Sequence, residues 1–193
     1  RQSMAISLGH MLEESCRQWP EHPALLQEEI SLTYADLDRA VNSLGNRMQA
    51  AGLQKGDKIA LMLPNGIEFV VSYFAIQKIG AVAVTLNVLS TAYELRHLLG
   101  NSGARGLITT SMMAQKFAEI RNDIPLCTFV LLHDEQKPAH SPFLIAMTAG
   151  PFTLEMPEIK GADPAVMIYT SGLTGQPVGA VLTQNNLLGQ SYL

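Results

Sequence analysis

The residues best suited to chemistry lie near the C-terminal end of the chain, in the run Thr170-Ser171-Gly172-Leu173-Thr174-Gly175-Gln176-Pro177-Val178-Gly179. Here the hydroxyls of Thr170, Ser171 and Thr174 are interleaved with Gly172, Gly175 and Gly179. Glycine removes Cβ where backbone amides must approach a ligand closely, and hydroxyls add rotatable donors, so such a loop suits the oxygens of a phosphate chain. It is not a Walker loop: neither Gly172 nor Gly175 is followed, five residues on, by a second glycine with Lys and Ser or Thr behind it. The flanks, residues 166–169 and 180–183, read as strands, and by composition alone a glycine loop between two strands is most often a plain β-hairpin.

Elsewhere the reactive side chains stand alone. His10, His22, His97, His133 and His140 show no paired ligand spacing, and no metal site is assigned. Cys16 and Cys127 are too few and too far apart for a zinc motif or a disulfide framework and read as inert buried thiols in a reducing compartment. Neighbouring carboxylates, Glu13 with Glu14 and Glu28 with Glu29, point to different faces of a helix or strand, which suits solvated charge better than an acid–base pair. Trp19 reads as a packing anchor, and the nine methionines, Met112-Met113 among them, as core filler. No residue of the chain is assigned a catalytic role.

A loop of this kind needs a scaffold, and the sequence supplies alternating periods. Tyr34, Leu37, Val41, Leu44, Met48 and Ala51 recur at helical spacing; Thr33 is placed to cap them, Asp36 to complete a capping box, and Gly52 to end the helix in a left-handed turn. Residues 58–63 form an apolar run stopped by Pro64-Asn65-Gly66, which predicts a buried strand. Residues 67–79 are apolar nearly all round and end at Gly80, which predicts a buried helix. The alternation continues with strand 81–84, helix 92–99 behind Ser90 and Thr91, strand 106–110, helix 114–122 and strand 126–132. Strands separated by helices imply a parallel sheet wound on both faces. Residues 133–164, rich in Pro, lack periodicity and are expected to be a connecting region.

Composition narrows the class. With Lys and Arg totalling 13 against 17 Asp and Glu, the net charge is −4, and no basic run exceeds one residue, which argues against a nucleic-acid platform. Charged residues interrupt every long apolar stretch, and the apolar run from Met4 to Leu12 lacks a cleavage site, so neither a transmembrane helix nor a signal peptide is expected and the cytoplasm is the expected location. Arg1, Gln2 and Ser3 read as residues left over from cloning. Only 16% of residues are charged while 47% are hydrophobic, an imbalance that predicts exposed apolar faces and self-association.

One family resemblance gathers these observations. Tyr169, Thr170, Ser171, Gly172, Thr174, Gly175, Pro177, Gly179 and Thr183 match a run usually written Tyr-Thr-Ser-Gly-Thr-Thr-Gly-x-Pro-Lys-Gly, followed by an apolar strand and Thr-His. The segment thus resembles the phosphate-binding loop of the adenylate-forming superfamily of acyl-CoA synthetases, luciferases and peptide-synthetase adenylation domains. Leu32-Thr33-Tyr34-Ala35-Asp36-Leu37, Lys55-Gly56-Asp57-Lys58-Ile59-Ala60, Leu63-Pro64-Asn65 and Gly80-Ala81-Val82 are similar to further landmarks in the same order. Leu86-Asn87 and Ser90 to Leu95 most resemble the fatty-acid CoA ligases.

The resemblance implies an α/β fold: residues 4–193 would be the N-terminal part of an AMP-binding domain, a truncated, mostly parallel, doubly wound sheet with its phosphate loop at 170–179. It also implies a reaction. A carboxylate attacks the α-phosphorus of ATP with Mg2+ assistance, giving acyl-adenylate and pyrophosphate, and coenzyme A then displaces AMP. Thr170, Ser171, Gly172, Thr174, Gly175 and Gly179 are carried over as contacts to the β- and γ-phosphates. Val178 stands where the family has Lys, Leu173 where it has Ser or Thr, and Gln184 where His follows Thr. A lost charge-assisted hydrogen bond is worth about 1.5–3 kcal/mol, so weakened phosphate binding is expected. Family enzymes carry their adenine segment, magnesium ligand and mobile lysine domain beyond the point matched by Leu193, so no turnover is expected of this chain alone. The rival reading is a non-catalytic oligomerisation or partner-binding module with a degenerate loop; a third is a free-standing nucleotide-binding domain.

Overall fold

The computed structural model describes residues 6–171 and 177–190. Helix α2 (Tyr34–Ala50) shows how local signals set the frame. The Thr33 hydroxyl accepts from the Asp36 amide at 3.1 Å, the Asp36 carboxylate accepts from the Thr33 amide at 3.2 Å, and Gly52 turns away at φ +92°. Its buried face presents Leu37, Val41, Leu44 and Met48. Before it come α1 (Leu8–Gln18) and a two-stranded antiparallel sheet, β1 (Pro23–Gln27) with β2 (Ile30–Thr33).

The main sheet follows: β3 (Lys58–Met62), α3 (Ile67–Lys78), β4 (Val82–Thr85), α4 (Ala92–Ser102), β5 (Gly106–Thr110), α5 (Ala114–Ile120) and β6 (Phe129–His133), then α6 (Pro142–Thr148), β7 (Pro164–Ser171), β8 (Pro177–Thr183) and α7 (Gln184–Gln190). The strand order is β6-β5-β3-β4-β7-β8. All neighbours are parallel except β7 and β8. The expected mostly parallel sheet flanked by helices is therefore present.

Both faces of the sheet are covered, and β3 shows it directly. Ile59 and Leu61 pack toward α1, α2, α3 and α6 with Val41, Leu44, Ile76, Ile79 and Phe143. Ala60 and Met62 pack toward α4 and α5 with Leu95, Leu99, Phe117 and Ile120. Alternate residues thus enter opposite cores, as a two-sided parallel strand requires.

Several elements were not legible in the sequence. Within the expected connecting region lies α6: the Ser141 hydroxyl accepts from the Phe143 amide at 3.2 Å, Pro142 opens the helix, and Phe143 is fully buried. The rest of that region is a strap tied to α2 by side-chain amides. Asn42 donates to the Phe152 carbonyl at 3.0 Å, Asn46 to those of Pro151 at 3.0 Å and Thr153 at 2.8 Å, and Gln49 to that of Glu155 at 3.2 Å. Trp19 is no core anchor: it is 48% exposed and stacks on His22. Glu28 and Glu29 are exposed as expected, but Glu13 is more than solvated charge. Its carboxylate accepts at 3.4 Å from Lys78, a fully buried ammonium that also donates to Asp38 and Asn42, each at 2.9 Å.

Candidate functional site

The β7–β8 hairpin carries the loop that the sequence singled out. Because β7 runs parallel to β3, β4 and β5, its C-terminal residue Ser171 lies at the carboxyl edge of the sheet, where open α/β sheets bind their ligands. Strand pairing runs Ile168 with Ala180, Tyr169 with Gly179, Thr170 with Val178 and Ser171 with Pro177. The hairpin therefore extends further toward the loop than the flanks 166–169 and 180–183 predicted.

Of the expected phosphate contacts, Thr170 pairs with Val178 and Gly179 with Tyr169, one register position apart and so on opposite faces of the ladder, and Ser171 ends β7. Gly172, Thr174 and Gly175, with Leu173, lie outside the described residues. Thr170 is exposed, and its hydroxyl reaches the Val178 carbonyl only at 3.5 Å, too long to hold it firmly. Directly paired residues share a sheet face, so Val178, 60% exposed, projects on the same side as Thr170. A cation at position 178 would stand beside that hydroxyl.

Gly179 has a packing reason of its own. A Cβ there would collide with Met167 Cε and come within 3.3 Å of the Tyr169 ring, so the glycine makes room for these two side chains against α4. Tyr169 completes that face by donating its phenol to Asn101 of α4 at 2.7 Å, and burial pushes the phenol pKa up. At the base of the hairpin, Asp163 binds Lys55 at 2.9 Å and accepts the Lys160 amide at 2.8 Å. That backbone hydrogen bond, and then Lys55, hold its carboxyl below the usual range.

Gln184 lies outside this site. It is fully buried, and its carboxamide accepts from the Leu8 amide at 3.0 Å and donates to Gln77 at 3.0 Å. Gln77 and Gln184 were not recognisable in advance as partners, since 107 residues separate them. Of the two thiols expected to be buried, Cys127 is, while Cys16 is half-buried. Burial pushes both to about 11; for Cys16 the Asp38 and Glu13 carboxylates add to this while Lys78 opposes it. Among the described residues no helix is long and apolar enough to cross a membrane.

A family model described as AMP-binding enzyme matches residues 12–193. Phosphinothricin tripeptide synthetase PhsC of Streptomyces viridochromogenes is 33% identical over 94% of this chain and 16% of its own length. A 3-hydroxybenzoate/4-hydroxybenzoate–CoA ligase of Thauera aromatica is 30% identical over 87% of this chain and 32% of its own. Among solved structures, a Mycobacterium tuberculosis fatty acyl CoA synthetase superposes with a TM-score of 0.80 at 27% identity, over 92% of this chain and 34% of that one. The chain thus spans about a third or less of the length of each of these relatives.

Proposed function

The chain belongs to the AMP-binding enzyme family, and on that premise we propose that, in a protein of full family length, it forms the triphosphate-binding edge of an AMP-forming acid–thiol ligase. The acid is a carboxylate: the relatives named above include a hydroxybenzoate ligase and a fatty acyl synthetase, and the segments Leu86-Asn87 and Ser90 to Leu95 favour a fatty or otherwise apolar acid. ATP is attacked at its α-phosphorus, and coenzyme A accepts the acyl group in the second step. Charge on the departing pyrophosphate must be neutralised, which is the work of oriented donors and of Mg2+ when bound. The residues proposed for this are Thr170, Ser171, Gly172, Thr174, Gly175 and Gly179. No turnover is expected of these 193 residues alone.

The observation that carries this reading is the placement of the hairpin. Its open end stands at the carboxyl edge of a parallel sheet, with the exposed Thr170 beside it. Phosphorus NMR tests it: adding the chain to Mg-ATP should broaden the β- and γ-phosphorus signals more than the α signal. Equal broadening of all three, or none at millimolar ATP, would remove the assignment.

A second reading is favoured by one specific feature. Val178 leaves the hairpin without the positive charge that the motif usually carries, and with Ile168 on the same face it exposes apolar side chains. In that reading the domain is a non-catalytic module for self-association or partner binding. Light scattering that shows a monomer across a broad concentration range would count against it.

A further inference from the structure

The buried amides at the base of the hairpin form a chain with fixed polarity. Leu8 N donates to Gln184 Oε1 at 3.0 Å, Gln184 Nε2 donates to Gln77 Oε1 at 3.0 Å, and Gln77 Nε2 donates to the Ala165 carbonyl at 2.9 Å. Carboxamide orientations are ordinarily open to a flip. Here both ends are backbone groups, an N–H that can only donate and a C=O that can only accept, so each amide has one allowed orientation. Gln77 and Gln184 are both fully buried. Every link is satisfied, and loss of any one strands a polar group away from water.

The connections are also informative. Ala165 lies near the start of β7, and Gln184 directly follows the last residue of β8. Gln77, from α3, therefore grips both strand ends of the loop-bearing hairpin, while Gln184 satisfies an otherwise free amide in the first turn of α1. The Gln184 amide donates to the Asp163 carbonyl at 3.0 Å, and that of Asn185 to Gly161 at 2.8 Å, closing the same base.

We propose that Gln77 and Gln184 are positioning residues that couple the N-terminus of α1 to the base of the loop hairpin. What position 184 requires is one acceptor beside one donor. A neutral imidazole offers the same pair, one bare nitrogen and one N–H. Gln184 is thus a non-titrating equivalent of histidine at this point, and its departure from the Thr-His pattern leaves the hairpin's support intact. The claim is independent of what the loop binds.

The charged and titratable groups on the neighbouring elements are accounted for. On α1, His10 shares the Ser7 hydroxyl at 2.6 Å; on α3, Lys78 is turned to Asp38, Asn42 and Glu13; ahead of β7, Asp163 is bound to Lys55. His10 is present in every variant, so the parent chain is its control.

Amide hydrogen exchange on the 193-residue chain, corrected for intrinsic rates and referred to the parent, tests the proposal. Gln184→Leu and Gln77→Leu should each speed exchange of β7 and β8 amides, and Gln184→Leu should speed that of Leu8 by about tenfold. Gln184→His should match the parent at pH 8, where the ring is neutral. Should the leucine variants fail to fold, the histidine variant still decides. Unchanged Leu8 and hairpin protection in Gln184→Leu, or a tenfold loss of Leu8 protection in Gln184→His at pH 8, would overturn the proposal.

Discussion

The parallel body of the sheet and the β7–β8 hairpin at its edge solve the same problem differently. In β3, Ile59, Ala60, Leu61 and Met62 are all fully buried, and the strand is held by apolar contacts on both faces. In the hairpin, Ile168, Val178 and Val181 are exposed, and support comes from the buried amide chain at its base and the Tyr169–Asn101 hydrogen bond on its flank. The difference shows where this fold puts burial and where it puts access: β3 has no side-chain surface left to offer a ligand, whereas the hairpin, supported at its base and on one flank, presents the exposed Thr170 hydroxyl on its other face.

The contrast should be largest for truncated apolar side chains. Leu61→Ala opens a cavity between packed layers and should lower unfolding stability by about 2–5 kcal/mol in denaturant titration. Val178→Ala on the hairpin should change it by less than about 0.5 kcal/mol. Equal losses would mean that the edge is as packed as the centre.

A smaller effect is expected where charge rather than apolar area holds the body. Asp38→Ala leaves the buried Lys78 ammonium with Asn42 and the more distant Glu13. Complete loss of a buried partner costs about 3–5 kcal/mol, but Asp38 is itself part-exposed and Glu13 remains, so about 1–3 kcal/mol is expected. Lys78→Met should cost less than Asp38→Ala, because the freed carboxylates can be hydrated while a stranded buried ammonium cannot. The reverse order would show that the ion pair, rather than the burial of one charge, matters here.

The mildest probe uses pH. Cys16 and Cys127 both belong to the packed body, and burial raises each from the ordinary value of 9.0 to about 11. A raised folded pKa means that the native state keeps its proton after the unfolded chain has released one. The thiol contribution to stability is therefore complete below pH 9 and lost as pH rises from 9 to about 11. Replacing both cysteines by alanine should flatten that alkaline limb of the melting-temperature profile. A limb that persists unchanged would assign it to other groups.

These probes also mark what the sequence could and could not convey. Capping boxes and apolar periods are local, so α2, with Thr33 and Asp36, and β5, over residues 106–110, were readable to within a residue or two. Short elements with conflicting signals were not. In α6, Pro142 reads as a breaker although the first turn of a helix accepts it, and seven residues are too few to show a period. The β1–β2 turn uses Glu28 at φ +53°, a conformation usually signalled by Gly or Asn.

Of the candidate site, the flanking strands were legible, because the apolar runs 166–169 and 180–183 mark both sides of the loop locally. The support beneath it was not, because Gln77 and Gln184 meet across 107 residues and neither has a local pattern. Gly179 has a packing role that its place in the motif did not convey: the space left by its missing Cβ is filled by Met167 and Tyr169.

The central claim, that the hairpin edge is a triphosphate site weakened by one missing charge, is tested most directly by calorimetric titration of Mg-ATP into the parent chain and Val178→Lys. Position 178 is 60% exposed and on the Thr170 side, so the lysine should leave stability unchanged and tighten ATP binding about tenfold or more, with little gain for AMP. A folded Val178→Lys chain that binds ATP no better than the parent, or gains equally for AMP, would contradict the account.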